Sequence, residues 1–182
     1  MKRPAIFLDR DGVLNELLFR NGRLSAPWTL EEFQMFPGIG DAVRALQAAG
    51  YRVIVLTNQP DVAHGTLRRA VLDQMHDALR SAAPVHAIYD CPHTWDEACA
   101  CKKPRPGMAH RAAQEHDLDF AHSYVVGDRP ADVNLAYALG IPAVLVRSEA
   151  TAWNAAPMER PPAQEVASLA EAVAWILAQA PQ

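Results

Sequence analysis

The chain has no apolar run approaching the ~20 residues that a membrane span needs. Its N-terminal apolar stretch follows Lys2 and Arg3 but is cut off at Asp9, too early for the core of a signal peptide. Charge of one sign is not in excess either: the formal net charge is −4 over 182 residues. That argues against a basic surface that grips nucleic acid and against a disordered acidic tail. Cysteine is scarce. The three present, Cys91, Cys99 and Cys101, fall in one short stretch, a placement that suggests a metal site more than a disulfide framework. Internal repeats, low-complexity tracts and domain linkers are also absent. These absences leave one domain over residues 1–182, expected to be cytoplasmic and monomeric, with neither membrane nor nucleic acid as partner. Half of its residues are hydrophobic, enough for a substantial core.

Apolar runs and helical patterns alternate along the chain. Ala5-Ile6-Phe7-Leu8 reads as a short buried strand. Residues 15–36 hold no clear periodicity, but Asn21-Gly22 is a strong turn signal and predicts a small hairpin or flap. A helix is expected from Asp41 to Ala49, stopped by Gly50, then a strand over Tyr51–Leu56 and a helix over Leu67–Arg80. A strand over Val85–Tyr89 runs into the cysteines. Pro106 can start a helix that reaches His116. Ser123–Val126 is a strand, Ala131–Leu139 a helix stopped by Gly140, and Pro142–Val146 a strand. Residues 148–164 read as a loop rich in Ala and Pro. Ser168 with Glu171 fits a capping box before a last helix that carries Leu169, Val173, Ile176 and Leu177. The alternation implies an α/β fold: a three-layer, Rossmann-like parallel sheet with helices on both faces.

The first strand ends on Asp9, followed by Asp11 and a glycine that allows a sharp turn. In extended backbone, residues i and i+2 share a side, so the two carboxylates are expected to face one centre. They would repel unless a cation or a proton lay between them. An Asp- and Gly-rich surface turn is the better reading of D-x-D-G by itself. The other strand ends change that: Thr57 and Asn58 close one strand, and Asp128, with Asp132 nearby, closes another. In a parallel sheet these ends meet along one edge, where open α/β sheets bind ligands, and Lys103 could reach it. Carboxylates with one lysine and small polar donors suit phosphoryl transfer around a hard, oxygen-liganded Mg²⁺.

Cys91-Pro92-His93 and Cys99-Ala100-Cys101 are two i, i+2 pairs. Three thiolates and an imidazole make a closed tetrahedral set of the kind that holds structural Zn²⁺. Such a metal would stiffen the loop at about 91–101 rather than act on substrate, and Lys102-Lys103 follow the last ligand directly.

The chain resembles the haloacid-dehalogenase superfamily of phosphatases. Asp9-Arg10-Asp11-Gly12-Val13-Leu14-Asn15 matches the first motif, Thr57-Asn58 the second, Lys103-Pro104 the third, and Val126-Gly127-Asp128 with Asp132 the fourth. The resemblance implies that Asp9 attacks phosphorus to form an aspartyl-phosphate. It implies that Asp11 protonates the leaving oxygen and later activates water. Asp128, the Asp9 carboxylate and the Asp11 backbone carbonyl would hold Mg²⁺; Thr57 and Lys103 would bind phosphoryl oxygens, with Asp132 in support. The cysteine pattern with Lys-Lys-Pro-Arg-Pro-Gly-Met is similar to the D-glycero-D-manno-heptose 1,7-bisphosphate phosphatases and to the related histidinol-phosphate phosphatases. Pro104 to Met108 favours the heptose branch. The family carries Arg where Lys102 stands, and Lys102 keeps the charge but loses the bidentate fork. By the same resemblance Asn58, Gln59 and Arg129 touch a small phosphorylated substrate, with Arg20 on the flap a further candidate. No insertion is long enough for a separate cap domain.

Three departures stand out. Pro60-Asp61 replaces the usual Ser-Gly, His64 replaces an Arg, and the zinc loop is short. Asp61 near a dianionic substrate should weaken a second phosphate by repulsion. A phosphorylation-controlled receiver is a competing class, but it carries its phosphoacceptor on a later strand and has no use for a zinc loop. A non-catalytic zinc-stabilised domain would be expected to lack at least one catalytic residue, and all are present.

Overall fold

The structure, a computed structural model, describes residues 2–148, 151 and 157–179. Its frame is a six-stranded sheet in which every pairing is parallel. In the middle lies β1 (Arg3–Leu8), flanked on one side by β4 (Arg52–Asn58) and then β5 (Ala87–Cys91). On the other side come β6 (Leu118–Gly127), β7 (Ala143–Val146) and β8 (Gln164–Val166). The order thus runs outward from β1 in one direction and restarts on its other flank. That reversal opens a crevice at the carboxyl ends of β1, β4 and β6.

The alternation of side chains along β1 and β4 explains the layers. Ile6, Leu8, Val53 and Val55 join Val43, Leu46, Leu72, Met75, Leu79 and Ile176 in one core, contributed by α1 (Ile39–Ala48), α2 (Arg69–Ala82) and α5 (Leu169–Gln179). Ala5, Phe7, Ile54 and Leu56 face the other way, onto Met108, Ala109, Ala112, Val133 and Ala136 from α3 (Gly107–Glu115) and α4 (Pro130–Leu139). A strand covered on both faces must be apolar at every position, which is why β1 and β4 read as continuous hydrophobic runs. A fully buried aliphatic side chain contributes roughly 1.5–3 kcal/mol, so these two clusters fix the sheet edge that carries the polar residues.

The hairpin forms as expected: β2 (Leu18–Arg20) and β3 (Arg23–Ser25) pair antiparallel across Asn21-Gly22. Both turn residues have positive φ, 49° and 76°, the geometry that Asn-Gly accepts at low cost. Between β1 and β4 the described residues form this hairpin and α1, and between β4 and β5 they form α2.

Several expectations need correcting. The loop expected over 148–164 gives way at Gln164 to an edge strand, Gln164–Val166, that pairs with β7 and was not expected; three residues are too few to show periodicity. Residues 149, 150 and 152–156 of that stretch lie outside the described residues. Strand β6 begins at Leu118 rather than Ser123, and β5 runs on to Cys91, so the first cysteine is still in the sheet. Helix α2 starts at Arg69, leaving Leu67 buried just ahead of it. The capping box is half formed: Glu171 N–H donates to Ser168 Oγ at 3.2 Å, but the Glu171 carboxylate accepts from Ala167 N–H.

Candidate active site

Strand β1 delivers Asp9 at its end, pinned by its backbone N–H to the Val126 carbonyl on β6. A carboxylate oxygen of Asp9 lies 2.8 Å from the Lys103 ammonium, which also reaches Asp132 at 2.6 Å. Asp132 stands in the first turn of α4, where its other oxygen accepts from Arg129 N–H at 3.2 Å. One carboxylate thus anchors the helix start and aims the lysine. All three side chains are buried.

Asp128, at the turn after β6, is fully buried. Ser148 Oγ donates to one of its oxygens at 2.7 Å, and Thr151 Oγ1 donates to its backbone carbonyl at 2.7 Å. Its other oxygen, Oδ1, accepts no hydrogen bond among the described residues, and the nearest cation is Arg129 Nε at 3.8 Å. Oxygen atoms of Asp9, Asp128 and Asp132 lie within 4.8 Å of one another. Burial, with repulsion from Asp132, pushes Asp9 up to about 7 against the partial relief of Lys103. Burial also pushes Asp128 up to about 6, although Arg129 pulls the other way. Two acids held that far above their ordinary range, beside an orphaned buried oxygen, make a donor set suited to a hard divalent cation. Two glycines permit the approach. A Cβ on Gly12 would lie 2.1 Å from Asp128 Oδ2, and one on Gly127 would lie 2.2 Å from the Asp132 carboxyl carbon.

Asp11 lines the same cavity, but the backbone between it and Asp9 is bent, not extended. Its carboxylate is absent from the three-acid cluster and is engaged elsewhere, with Arg10, Asn15 and Gln59. Burial would raise it, but the Arg10 guanidinium and the side-chain donors of Asn15 and Gln59 outweigh burial and hold it below its ordinary value. Gln59 is fully buried and donates to both Asp11 and Thr57, at 2.7 and 2.8 Å. It sits under the cavity, away from its wall. Thr57 is likewise buried at the end of β4. Asn58 lines the cavity, but its amide is occupied twice by the Lys103 backbone, at 3.0 and 3.1 Å, and so fixes the segment that carries the lysine.

The cavity holds about 700 Å³ and is walled by the flap, by Pro60 and Asp61, and by Trp28, Trp95 and Arg129. Arg20, a flap candidate, is committed to holding the flap: it pairs with Glu32, donates to Ser25 and Ala26, and stacks on Trp28 at 4.0 Å. Lys102 is buried with no hydrogen-bond partner, its ammonium 5.2 Å from the Trp95 ring centroid. Trp95 and Trp28 were not legible as site residues, since nothing in their spacing ties them to the strand ends. Arg10 and His76 were also missed. His76 did carry a signal: it lies between Leu72 and Leu79 on the buried stripe of α2.

The sulfur and nitrogen atoms of Cys91, His93, Cys99 and Cys101 converge within 4.8 Å. His93 Nδ1 is 3.4 Å from the Cys91 sulfur and 3.1 Å from that of Cys101. Burial raises the Cys91 thiol, whereas the slight burial of Cys99 is outweighed by the Lys102 backbone N–H and the neighbouring thiols, which hold it at about 6. The cluster could hold one metal ion, directly before Lys102 and Lys103.

Comparison with known proteins agrees with this geometry. A family model for HAD-hydrolase-like proteins matches residues 100–172. A D-glycero-β-D-manno-heptose-1,7-bisphosphate 7-phosphatase of Pseudomonas putida is 38% identical over 149 residues, 79% of this chain and 82% of that one. This chain belongs to the HAD-like phosphatases. Within the family, the crystal structure of D,D-heptose 1,7-bisphosphate phosphatase from Bordetella bronchiseptica, complexed with magnesium and phosphate, superposes with a TM-score of 0.80. The two are 32% identical, with 97% of this chain and 99% of that chain covered. The corresponding enzyme of Burkholderia thailandensis gives 0.69 at 25% identity, covering 97% and 100%. Phosphatases of this kind are phosphoric monoester hydrolases. Among the described residues, no helix is long and apolar enough to cross a membrane.

Proposed function

We propose that this chain is a monomeric, cytoplasmic, single-domain phosphatase that requires Mg²⁺ and removes the 7-phosphate of D-glycero-D-manno-heptose 1,7-bisphosphate. The observation that carries this reading is the buried Asp9–Lys103–Asp132 array beside Asp128, at the floor of a cavity open to solvent. Asp9 is the nucleophile: its oxygen attacks phosphorus, the bond from phosphorus to the sugar oxygen breaks, and that oxygen takes a proton from Asp11. Asp11 must take up that proton with substrate bound, against the Arg10, Asn15 and Gln59 donors that hold it ionised in the free protein. Water then attacks the aspartyl-phosphate, returns a proton to Asp11, and releases phosphate and free Asp9. Lys103 and Thr57 hold phosphoryl oxygens, and Lys103 stays charged because Asp132 and Asp9 overcome the burial that would discharge it. The Asp9 and Asp128 carboxylates with the Asp11 carbonyl would hold Mg²⁺, which supplies positive charge against the transferring group.

Asn58 and Gln59 serve the substrate indirectly, one through Lys103 and the other through Asp11. Arg129 on the cavity wall, with Lys102 buried behind Trp95 of that wall, supplies the positive charge for the rest of the sugar phosphate. Asp61 on that wall opposes a second phosphate by charge. Zn²⁺ on the four-residue cluster fixes the loop that presents Lys102 and Lys103. Phosphate release with Mg²⁺ across both heptose 1,7-bisphosphate anomers, other sugar mono- and bisphosphates and histidinol phosphate tests the assignment. Preference for a heptose bisphosphate is expected. Preference for histidinol phosphate would replace that substrate, and no turnover on any of them would overturn the enzyme reading.

A further inference from the structure

Arg10 is a charged side chain with no exposed surface, placed between the two motif aspartates. Its guanidinium grips Asp11 with two nitrogens: Nη2 lies 2.8 and 3.1 Å from the two carboxylate oxygens, and Nε lies 3.2 Å from the first. The remaining nitrogen, Nη1, faces His76 Nε2 of α2 at 3.4 Å, and the guanidinium lies 5.3 Å from the ring centroid of Phe33. Asn15 at 3.0 Å and Gln59 at 2.7 Å complete the set around Asp11. A carboxylate held by five donor contacts has one orientation, and a planar fork enforces orientation in a way a point charge does not. The Arg10 guanidinium makes no such contact with Asp9, whose carboxylate pairs with Lys103 and accepts only from the Arg10 backbone N–H, at 2.7 Å.

We infer that Arg10 is the positioning residue for the proton-transferring carboxylate of Asp11, and that α2, through His76, and the segment carrying Phe33 hold Arg10 in place for that task. The inference rests on the phosphatase reading above. It separates the two halves of the chemistry. Attack by Asp9 on phosphorus, with cleavage of the ester bond, proceeds without Arg10 when the leaving oxygen needs no proton. Deprotonation of the attacking water depends on it, because the Arg10 fork holds Asp11 oriented as the carboxylate that accepts that proton.

The test compares p-nitrophenyl phosphate, whose phenolate leaves unprotonated, with the sugar phosphate that the wild type hydrolyses best. Rapid-mixing kinetics are run on wild type, Arg10→Met, Arg10→Lys and Asp9→Asn. Arg10→Met should release a burst of about one phenolate per site and then turn over slowly, while its kcat on the sugar phosphate falls about 10²-fold, the scale of a lost acid–base contribution. Its KM and its Mg²⁺ half-saturation should stay at wild-type values, which damage to the whole site would not allow. Arg10→Lys should restore part of the loss, since one ammonium replaces the charge and not the fork. Equal loss in the burst rate and in sugar-phosphate turnover, or no loss in either, would overturn the inference. Should Arg10→Met fail to fold by circular dichroism, Arg10→Lys carries the same comparison, with the same split expected in weaker form and the same overturning results. Asp9→Asn shows no burst; a wild type whose turnover survived that change would instead count against the phosphatase reading.

Discussion

Lys103 holds its ammonium 2.8 Å from the Asp9 carboxylate, and both groups are buried. The contact ties the end of the central strand to the segment behind the cysteine cluster. It also leaves Asp9 and Asp132, two acids that repel, sharing one cation. Replacing Lys103 by Met should therefore damage both chemistry and stability. The expected loss in kcat is about 10²–10³-fold, the range for removing a preorganised electrostatic contact. The loss of folding free energy should be roughly 3–5 kcal/mol, because two buried carboxylates lose their partner. Phosphate release and urea unfolding measure the two effects, and a variant that kept wild-type turnover would remove Lys103 from the site.

Magnesium should stabilise the protein in a pH-dependent way. Burial and neighbouring acids raise Asp9 to about 7 and Asp128 to about 6. A folded-state acid that holds its proton more tightly than the unfolded chain makes a contribution to stability that is present at low pH. That contribution is lost as pH rises through the folded value. A metal held by the ionised pair would offset the loss. The Mg²⁺-induced rise in Tm should accordingly grow between about pH 5.5 and about pH 7.5. A rise that was constant across that interval would argue against these carboxylates as the ligands.

His76 works in the opposite sense. Burial, reinforced by Arg10, lowers it from 6.5 to about 4, with Asp90 pulling weakly the other way. The unfolded chain therefore binds the proton first. Stability from this residue is full above about pH 6.5 and declines as pH falls towards 4, by roughly 3 kcal/mol in all. Denaturation of wild type and His76→Phe at a series of pH values isolates the effect, and the wild type should lose stability more steeply below pH 6.5. Parallel curves would refute the assignment.

The cluster of Cys91, His93, Cys99 and Cys101 gives a fourth expectation. Cys99→Ser should lower both zinc content, by metal analysis, and the unfolding midpoint, because a closed thiolate–imidazole set contributes folding energy when filled. A variant that retained one zinc per chain at wild-type stability would mean a different ligand set.

What the sequence made legible, and what it did not, divides along a physical line. The ends of β1, β4 and β6 stood out because apolar runs stop abruptly on Asp9, Thr57 and Asp128, and parallel strands must bring such ends together. The flap announced itself through Asn21-Gly22, where the turn conformation selects the residues. The convergence of Cys91, His93, Cys99 and Cys101 needed no tertiary information, because all four lie within residues 91–101. Arg10 was hidden because its adjacent partner Asp11 does not by itself signal burial, and the groups that enclose the guanidinium, Phe33 and His76 on α2, come from far along the chain. Gln59 was misplaced for a related reason: the residue after a strand end can point into the cavity or beneath it, and only the position of Asp11 decides. Strand β8 is too short for a pattern, and it exists because β7 offers it an edge.

The central claim is that Asp9 carries the phosphoryl group. The most direct measurement is acid quenching of the Mg²⁺-loaded protein during turnover of its preferred sugar phosphate, followed by peptide mass analysis, for wild type and Asp9→Asn. The account predicts one phosphoryl group on the peptide containing Asp9 in the wild type, and neither adduct nor phosphate release in a folded, zinc-containing Asp9→Asn. Turnover by Asp9→Asn near the wild-type rate, or an adduct on another peptide, would contradict it.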